Sequence, residues 1–449
     1  MLKRVLVANR GEIALRVIRS LKEIGVESVA VYAQADKESL HVKYADKALC
    51  IGKGNLRETY LNKGEIITAA KVAKADAIHP GYGFLSENAE FAKLVNAYGI
   101  VFIGPSPETI SRMGDKIAAV KTALEADVPV IPGSHGAVES DQEVMRIASE
   151  IGYPLIIKAA AGGGGKGMRI VREEAELAEN LHLARNEAQN FFGNDSVYVE
   201  RFIEVGRHVE VQILADGYGN AVSVGERECS IQRRHQKLIE ESPAPFLPQQ
   251  VRQKMFDSAV RLAKQTDYIG AGTVEYIVDE QNRFYFIEMN TRIQVEHPVT
   301  ELCSDIDLVR HQILVAGGAK LPFTQQEVLH EGHSIECRIN AEDPDKGFIP
   351  SPGTITHLIL PGGPGVRIDS HIYPGYTIPH LYDSLVAKII VHAENRDVAI
   401  ARMKRALHEF KVEGIETTIP LHLKILDNER FKQGKYNTDF ISREKILAQ

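Results

Sequence analysis

Cysteine is scarce in this chain. The four present, Cys50, Cys229, Cys303 and Cys337, are scattered through 449 residues and form no CxxC pair. A zinc site or a disulfide framework is therefore not expected, and a reducing, cytoplasmic setting fits. Long apolar runs are missing too: none approaches the ~18 residues of a membrane span, so no membrane partner is expected. The opening Met1-Leu2-Lys3-Arg4-Val5-Leu6-Val7-Ala8 is too short for a secretory signal, and Asn9-Arg10-Gly11-Glu12 interrupts it. Positive charge is not in excess. The formal charge of -7 argues against a broad nucleic-acid surface. No GxGxxG follows the first apolar segment, which disfavours a dinucleotide cofactor. Internal repeats and low-complexity tails are also absent.

What is present is ordinary globular composition, 44% hydrophobic and 25% charged, in a chain long enough for roughly two to four domains. The first third alternates strands and helices. Arg4 to Ala8 is apolar, residues 12–24 carry Ile13, Leu15, Val17, Ile18 and Leu21 near helical spacing, and residues 28–32 are again strand-like. This predicts a parallel sheet with helices on both faces. A boundary is expected near residues 113–116, followed by a helix over 115–126. Strands are expected at 153–158, 197–202, 208–214 and within 272–288, and an amphipathic helix at 397–410.

The most informative stretch is Glu288-Met289-Asn290-Thr291-Arg292-Ile293-Gln294-Val295-Glu296-His297-Pro298. In an extended chain alternate side chains share a face. Glu288, Asn290, Arg292, Gln294 and Glu296 would then form a row of carboxylate, amide, guanidinium, amide and carboxylate. That is the floor of a site for charged ligands, or else a solvated edge strand. A straight run from 288 to 296 would span roughly 26 Å at ~3.3 Å per residue. The segment must therefore bend or serve two neighbouring sites. Arginine can clamp a planar carboxylate-like anion, and the adjoining glutamate can act as a base.

Gly162-Gly163-Gly164-Gly165-Lys166-Gly167 lies between two strand-like segments. Its backbone N–H groups can approach phosphate oxygens. It is not a P-loop, because no Ser or Thr follows Gly-Lys. It reads as a hairpin over nucleotide phosphates or as a flexible turn. Lys158, at the end of the preceding strand, can supply a point charge to phosphate, and Lys116 can do likewise. Glu275 sits in a hairpin with the strand that ends at Glu288. It is expected to face Phe286 and to lie diagonal to Glu288, so that Glu275, Glu288 and Asn290 offer hard oxygen ligands to magnesium or manganese. Residues 225–237 concentrate donors able to hold anions, or form a solvated basic loop. His208 and Arg338 carry little signal alone.

Several motifs occur together: Ala8-Asn9-Arg10-Gly11-Glu12-Ile13-Ala14; His79-Pro80-Gly81-Tyr82-Gly83-Phe84-Leu85-Ser86-Glu87-Asn88; the glycine run with Lys166-Gly167-Met168-Arg169; Arg233-Arg234-His235-Gln236-Lys237; and Glu288 through Pro298. In this order, over nearly the whole chain, they resemble biotin carboxylase, the ATP-grasp component of acetyl-CoA and related acyl-CoA carboxylases. The resemblance implies an α/β and α+β multidomain protein. Its parts would be a Rossmann-like N-terminal domain at 1–114, an ATP-grasp domain at 115–330 with a mobile lid at 131–203, and a C-terminal biotin carboxylase domain at 331–449. The implied reaction phosphorylates bicarbonate with ATP to carboxyphosphate and then carboxylates N1′ of carrier-bound biotin.

The same resemblance assigns roles. Lys116 and Lys158 would bind phosphate beneath Gly164 and Gly165 of the lid. Glu200, Arg201, Phe202 and Ile203 would lie against adenine, and His208, Gln232 and His235 would belong to the nucleotide site. Glu275, Glu288 and Asn290 would hold Mg2+ or Mn2+, at two positions. Lys237, Arg292, Gln294, Val295 and Glu296 would form the bicarbonate site, with Glu296 as base. Arg338 would stabilise the enolate of the biotin ureido group, and Tyr82 would pack beside biotin. The implied partners are a biotin carboxyl carrier protein, carboxyltransferase subunits and a second copy of the chain. There are departures. Position 201 is Arg where many relatives have Lys, and Ala159-Ala160-Ala161 precedes only four glycines. No Ala-Met-Lys-Met carrier hairpin occurs, since Met403-Lys404 falls within the 397–410 helix, so a separate carrier is expected. Competing readings are another ATP-grasp ligase that joins a carboxylate to an amine, and a nucleotide-binding regulatory subunit.

Overall fold

A computed structural model describes residues 2–138, 140–159, 168–192 and 195–447. The first apolar segment becomes β1 (Arg4–Val7), with Val5, Leu6 and Val7 fully buried, as expected for a strand covered on both faces. Strand β1 leads into α1 (Gly11–Glu23), which turns Ile13, Val17, Ile18 and Leu21 inward. Then come β2 (Glu27–Tyr32), β3 (Lys47–Cys50), α2 (Lys63–Ala73), β4 (Ala77–His79), α3 (Ala89–Ala97) and β5 (Val101–Phe102). The five strands are parallel in the order β3-β2-β1-β4-β5, so the expected parallel sheet is present. Strand order reverses between β1 and β4, and a crevice opens beyond their carboxyl ends. Asn9, just after β1, donates from its side-chain amide to the carbonyls of Pro80 (2.7 Å) and Tyr82 (2.8 Å) after β4. Gly81 is required there: its φ is +65°, and a Cβ would lie 2.8 Å from the Asn9 amide nitrogen.

The chain continues through α4 (Lys116–Glu125), which Asp115 caps, and α5 (Asp141–Ile151). Strands β6 (Leu155–Ala159), β7 (Met168–Val171) and β8 (Val197–Arg201) form a three-stranded antiparallel sheet in the order β7-β6-β8. Helix α6 (Leu177–Phe192) packs on this sheet with α5 around Leu155, Ile157, Leu181 and Val199. Gly164 and Gly165 lie outside the described residues.

The main sheet begins with β9 (Gly206–Ala215), β10 (Ala221–Arg233) and β11 (Gln236–Ser242). After α7 (Gln249–Gln265) come β12 (Gly270–Asp279) and β13 (Phe284–Asn290). Helices α8 (His297–Ser304) and α9 (Leu308–Ala316) follow, then β14 (His333–Asn340), β15 (Val366–Ser370), β16 (Leu385–Ala393) and α10 (Arg396–Glu409). The order is β13-β12-β9-β10-β11-β14-β16-β15, antiparallel throughout. Strands from the last segment of the chain thus extend the sheet begun in the middle one.

That junction contains a buried ion cluster. Glu241 of β11 accepts hydrogen bonds from His333 (2.6 Å), from Arg396 (2.7 and 3.0 Å) and from the Tyr436 hydroxyl. Burial alone would raise its carboxyl pKa, but Arg396 and His333 outweigh burial and hold it well below the usual carboxylate range. The folded-state pKa lies under the unfolded one, so the cluster stabilises fully above the ordinary value of 4.5 and loses its contribution as pH falls beneath it. Glu241→Gln should therefore cost on the order of 3 kcal/mol at neutral pH. Urea unfolding across pH should show that deficit shrinking below pH 4.5. A deficit independent of pH would refute this linkage.

Candidate active site

A single rung crosses four strands of the main sheet. Arg227 on β10 pairs with Glu210 on β9, Glu210 with Glu275 on β12, and Glu275 with Glu288 on β13. Two irregularities set this register. On β13 Ile287 is an extra residue, because Tyr276 pairs with Phe286 while Glu275 pairs with Glu288. The expected diagonal relation of Glu275 and Glu288, with Glu275 facing Phe286, is therefore corrected: the bulge brings the two carboxylates directly opposite. On β10 the register shifts between Ser223 and Glu226. Gly225 lies in that shift with φ +108°, and a Cβ would meet the His330 ring at 2.0 Å.

Like charges on neighbouring strands need cations among them. Arg227 has no solvent exposure and donates to Glu210 (2.5 Å), Gln212 (2.7 Å), Thr300 (2.9 Å), Thr273 (3.0 Å) and Gln294 (2.8 Å). Lys237 donates to Glu210 (2.6 Å), Glu275 (3.2 Å) and Glu296 (2.6 Å). His208 lies 2.9 Å from Glu275. Burial opposes protonation of this imidazole, but Glu275 more than compensates and raises its pKa. Burial likewise opposes ionisation of Glu275, yet Lys237 and His208 hold its pKa down.

Beyond Asn290 the chain leaves β13, so the alternating row does not continue as one strand. Residues 291–296 turn instead, and Glu296 becomes the N-cap of α8. The bend gathers side chains that a straight strand would separate. The Glu296 carboxylate accepts from Lys237 on one oxygen and from Arg338 (3.0 Å) on the other. Burial would raise its pKa, but Lys237, Arg338 and Arg227 together hold it well below the ordinary range. Arg338 also donates to Glu240 (2.6 Å). Gln294 donates to Glu275 (2.7 Å), and Arg292 reaches Glu87 (2.8 Å) and the Asn290 amide oxygen (2.9 Å).

Two cavities flank this centre. One, of about 150 Å³, is lined by Lys116, Val130, Lys158, Tyr198, Glu200, Phe286 and Glu288. Lys158 there lies 2.5 Å from Glu200. The other, of about 360 Å³, is lined by Tyr82, Arg292, Val295 and Arg338, with Arg10, Glu12, Gln236 and Asp383. Arg201, Phe202 and Ile203 line neither: Arg201 donates to the Ile151 carbonyl, and the Phe202 N–H to that of Pro154. Gln232 pairs with Lys237 across the β10–β11 hairpin, while Arg234 and His235 form its turn, both with positive φ. Arg227, Glu210, Glu87, Glu12, Glu240 and Lys388 were not singled out in the sequence. Glu12 and Glu87 stood inside recognised motifs, and Glu210 shares a strand face with His208. Lys388 had a signal of its own, a lone lysine in the apolar run Leu385-Val386-Ala387-Lys388-Ile389-Ile390-Val391.

A cavity walled by a small sheet on one side and by a large sheet bearing paired acids on the other is the arrangement of the ATP-grasp class of ATP-dependent ligases. Family models match in order along the chain: biotin carboxylase N-terminal domain at residues 1–110, carbamoyl-phosphate synthase L chain ATP-binding domain at 115–324, and biotin carboxylase C-terminal domain at 336–443. Biotin carboxylase 1 of Bacillus subtilis is 55% identical over the whole of both chains. The structure of a Campylobacter jejuni biotin carboxylase in a β-γ-ATP complex matches with TM-score 0.92 and 50% identity, covering 99% of each chain. The biotin carboxylase domain dimer of Hydrogenobacter thermophilus 2-oxoglutarate carboxylase, in complex with MgADP, ADP and bicarbonate, matches with TM-score 0.92 and 48% identity, covering 100% of this chain and 99% of that one. The chain belongs to the biotin carboxylase family.

Arg227→Met should lower stability by about 3–5 kcal/mol, because it removes the fully buried one of the two cations that hold the charge network. Arg283→Met, at a pair where the arginine is 56% exposed, should leave the urea midpoint unchanged. Equal midpoints for the two variants would show that Arg227 is not the support described.

Proposed function

We propose that Glu296, Lys237, Arg292 and Arg338 carry out the ATP- and bicarbonate-dependent carboxylation of biotin, the first half-reaction of a biotin-dependent carboxylase. The observation that carries this assignment is the Glu296 carboxylate. It is 2% exposed and held between two cations. Through Lys237 and Glu275 it connects to Glu288 of the smaller cavity, and through Arg338 to the larger one.

The chain is an ATP-dependent ligase, and these positions suit its chemistry. Bicarbonate is a poor nucleophile until a base takes its proton. Glu296 removes that proton while Arg292 and Lys237 hold the anion. The freed oxygen attacks the terminal phosphorus of ATP, and ADP leaves as carboxyphosphate forms. Carboxyphosphate then separates into CO2 and phosphate, and the phosphate takes the N1′ proton of biotin. The resulting ureido enolate attacks CO2, with its oxygen held by Arg338. Lys116 and Lys158 neutralise phosphate oxygens. Glu200, in the wall of the smaller cavity, faces adenine, and His208, Gln232 and His235 complete the nucleotide's surroundings. Tyr82 and Val295 wall the biotin and bicarbonate positions.

Glu275, Glu288 and Asn290 fit a divalent cation by their chemistry. Surrounding protein and then the like charges of Glu275 and Glu87 raise the Glu288 pKa, so a cation there would be welcome. Magnesium, or manganese with the same hard oxygen donors, supplies charge neutralisation to the phosphates when bound. Biotin arrives on a carrier protein, and a carboxyltransferase takes the carboxyl group onward. A homodimer is proposed from the dimeric Hydrogenobacter relative. That relative belongs to a 2-oxoglutarate carboxylase, so the final acceptor is a property of the partner.

Bicarbonate-dependent ADP release should increase when free biotin is added. Release indifferent to dissolved inorganic carbon would end this assignment. Glu296→Ala should reduce biotin carboxylation on the order of 10³-fold while nucleotide affinity is kept. Glu288→Gln should raise the magnesium concentration needed for half-maximal rate, and an identical metal titration would remove Glu288 from the ligand set.

A further inference from the structure

Lys388 has no solvent exposure, and none of the roles assigned above uses it. It sits at the middle of a cross-strand row, opposite Arg338 on β14 and opposite Asp369 on β15. Its ammonium donates to the Val295 carbonyl at 2.7 Å and lies 3.3 Å from Oε1 of Glu12 and 3.9 Å from Asp369. An ammonium has three donors, and three acceptors surround this one. Burial works against its charge, but Glu12, Glu336 and Asp369 keep its pKa above the ordinary lysine value. The Glu12 oxygen facing Lys388 is also the one that accepts the Tyr82 hydroxyl. A continuous chain of contacts therefore runs from the Val295 carbonyl through Lys388 and Glu12 to Tyr82. Its ends come from different parts of the sequence and line the same 360 Å³ cavity, together with Arg292 and Arg338.

We propose that Lys388 is a positioning residue that fixes the bicarbonate-side wall at Val295 to the biotin-side wall at Tyr82, so that the two substrates of carboxyl transfer are held in one frame. This rests on the assignment under Proposed function. Val295 follows Gln294 and precedes Glu296, so its carbonyl sets the path of the segment that presents both. Tyr82 has no other hydrogen-bond anchor for its hydroxyl among the described residues. The smaller cavity at Lys116 and Lys158 has no member in this chain of contacts. Loss of Lys388 should therefore affect bicarbonate and biotin and spare the nucleotide.

The test is steady-state kinetics with free biotin on the full chain. Lys388→Met should raise KM for bicarbonate and for biotin at least ten-fold each, with KM for ATP within two-fold of wild type. The double variant Lys388→Met with Glu12→Gln removes both charges of the buried pair and keeps an acceptor for Tyr82. Asp369 retains Arg367 at 2.7 and 3.0 Å. This variant should give the same pattern and decides the matter where the single variant does not fold. Unchanged constants in the double variant, or a parallel rise in the KM for ATP, would overturn the inference. Biotin-stimulated ADP release by the wild-type protein is the separate control. Its absence would defeat the proposed reaction, whereas its presence beside unaltered variants would defeat only the role of Lys388.

Discussion

Five hydrogen bonds from one buried guanidinium hold the centre of this protein in register. Arg227 meets acceptors on β9, on β12, on α8 and on the segment that leaves β13. Arg227 is shut off from bulk solvent, so each partner must sit where the planar donor fork requires it. The consequence is a row of carboxylates at adjacent strand positions, Glu210, Glu275 and Glu288, that would repel one another on a sheet without cations. Arg227 and Lys237 neutralise its inner end, while Glu288 remains at the open end beside the smaller cavity. A gradient results, from fully compensated charge in the interior to a carboxyl group without a paired cation at the cavity, where the proposed metal would sit.

Construction from three stretches of chain explains why the site depends on the whole fold. The crevice beyond β1 and β4 supplies Tyr82, and the turn after it supplies Glu87, which fixes Arg292. The main sheet supplies the rung. The last segment extends that sheet and contributes Arg338 and Lys388 from neighbouring strands. Arg10, fixed within the first stretch by two hydrogen bonds to Asp36, 2.8 and 2.7 Å, sets its guanidinium 4.1 Å from the centre of the Tyr382 ring of the last stretch. Each stretch leaves polar groups that only another stretch can satisfy, so assembly of the three and formation of the site are one process.

The parallel sheet was legible because its strands are short, apolar and separated by helices of clear period, as in Arg4–Val7 and Gly11–Glu23. Polar alternation from Glu288 to Glu296 likewise disclosed a site. It did not disclose the shape, because alternation assumes an extended backbone and the strand ends at Asn290. Nor could it reveal Ile287 as an extra residue, since a bulge changes which strand positions meet without altering local composition. Arg227 lay within a cluster of donors that also suits a solvated loop. What distinguishes it is burial, and burial of a charged residue is decided by partners distant in sequence: Thr273, Gln294 and Thr300. Lys388 carried a local hint, one ammonium among six aliphatic neighbours, whose meaning appears only once Glu12 is beside it.

The strong depression of the Glu296 pKa bears on how the proposed base would work. A carboxylate stabilised by Lys237 and Arg338 has little affinity for a proton, and as such is a weak base. Substrates change that balance. In the proposed reaction, bicarbonate and phosphate oxygens would compete for Lys237 and the biotin ureido oxygen for Arg338, so each arrival would withdraw stabilisation from the anionic form of Glu296. Its basicity would then rise as the site fills. On that reading activation of bicarbonate would be tied to occupancy, and an incompletely loaded site would hold the proton acceptor in its least reactive state. The two cations paired with Glu296 in the free protein are those that the proposed reaction would need elsewhere, so one set of contacts would supply both restraint and catalysis.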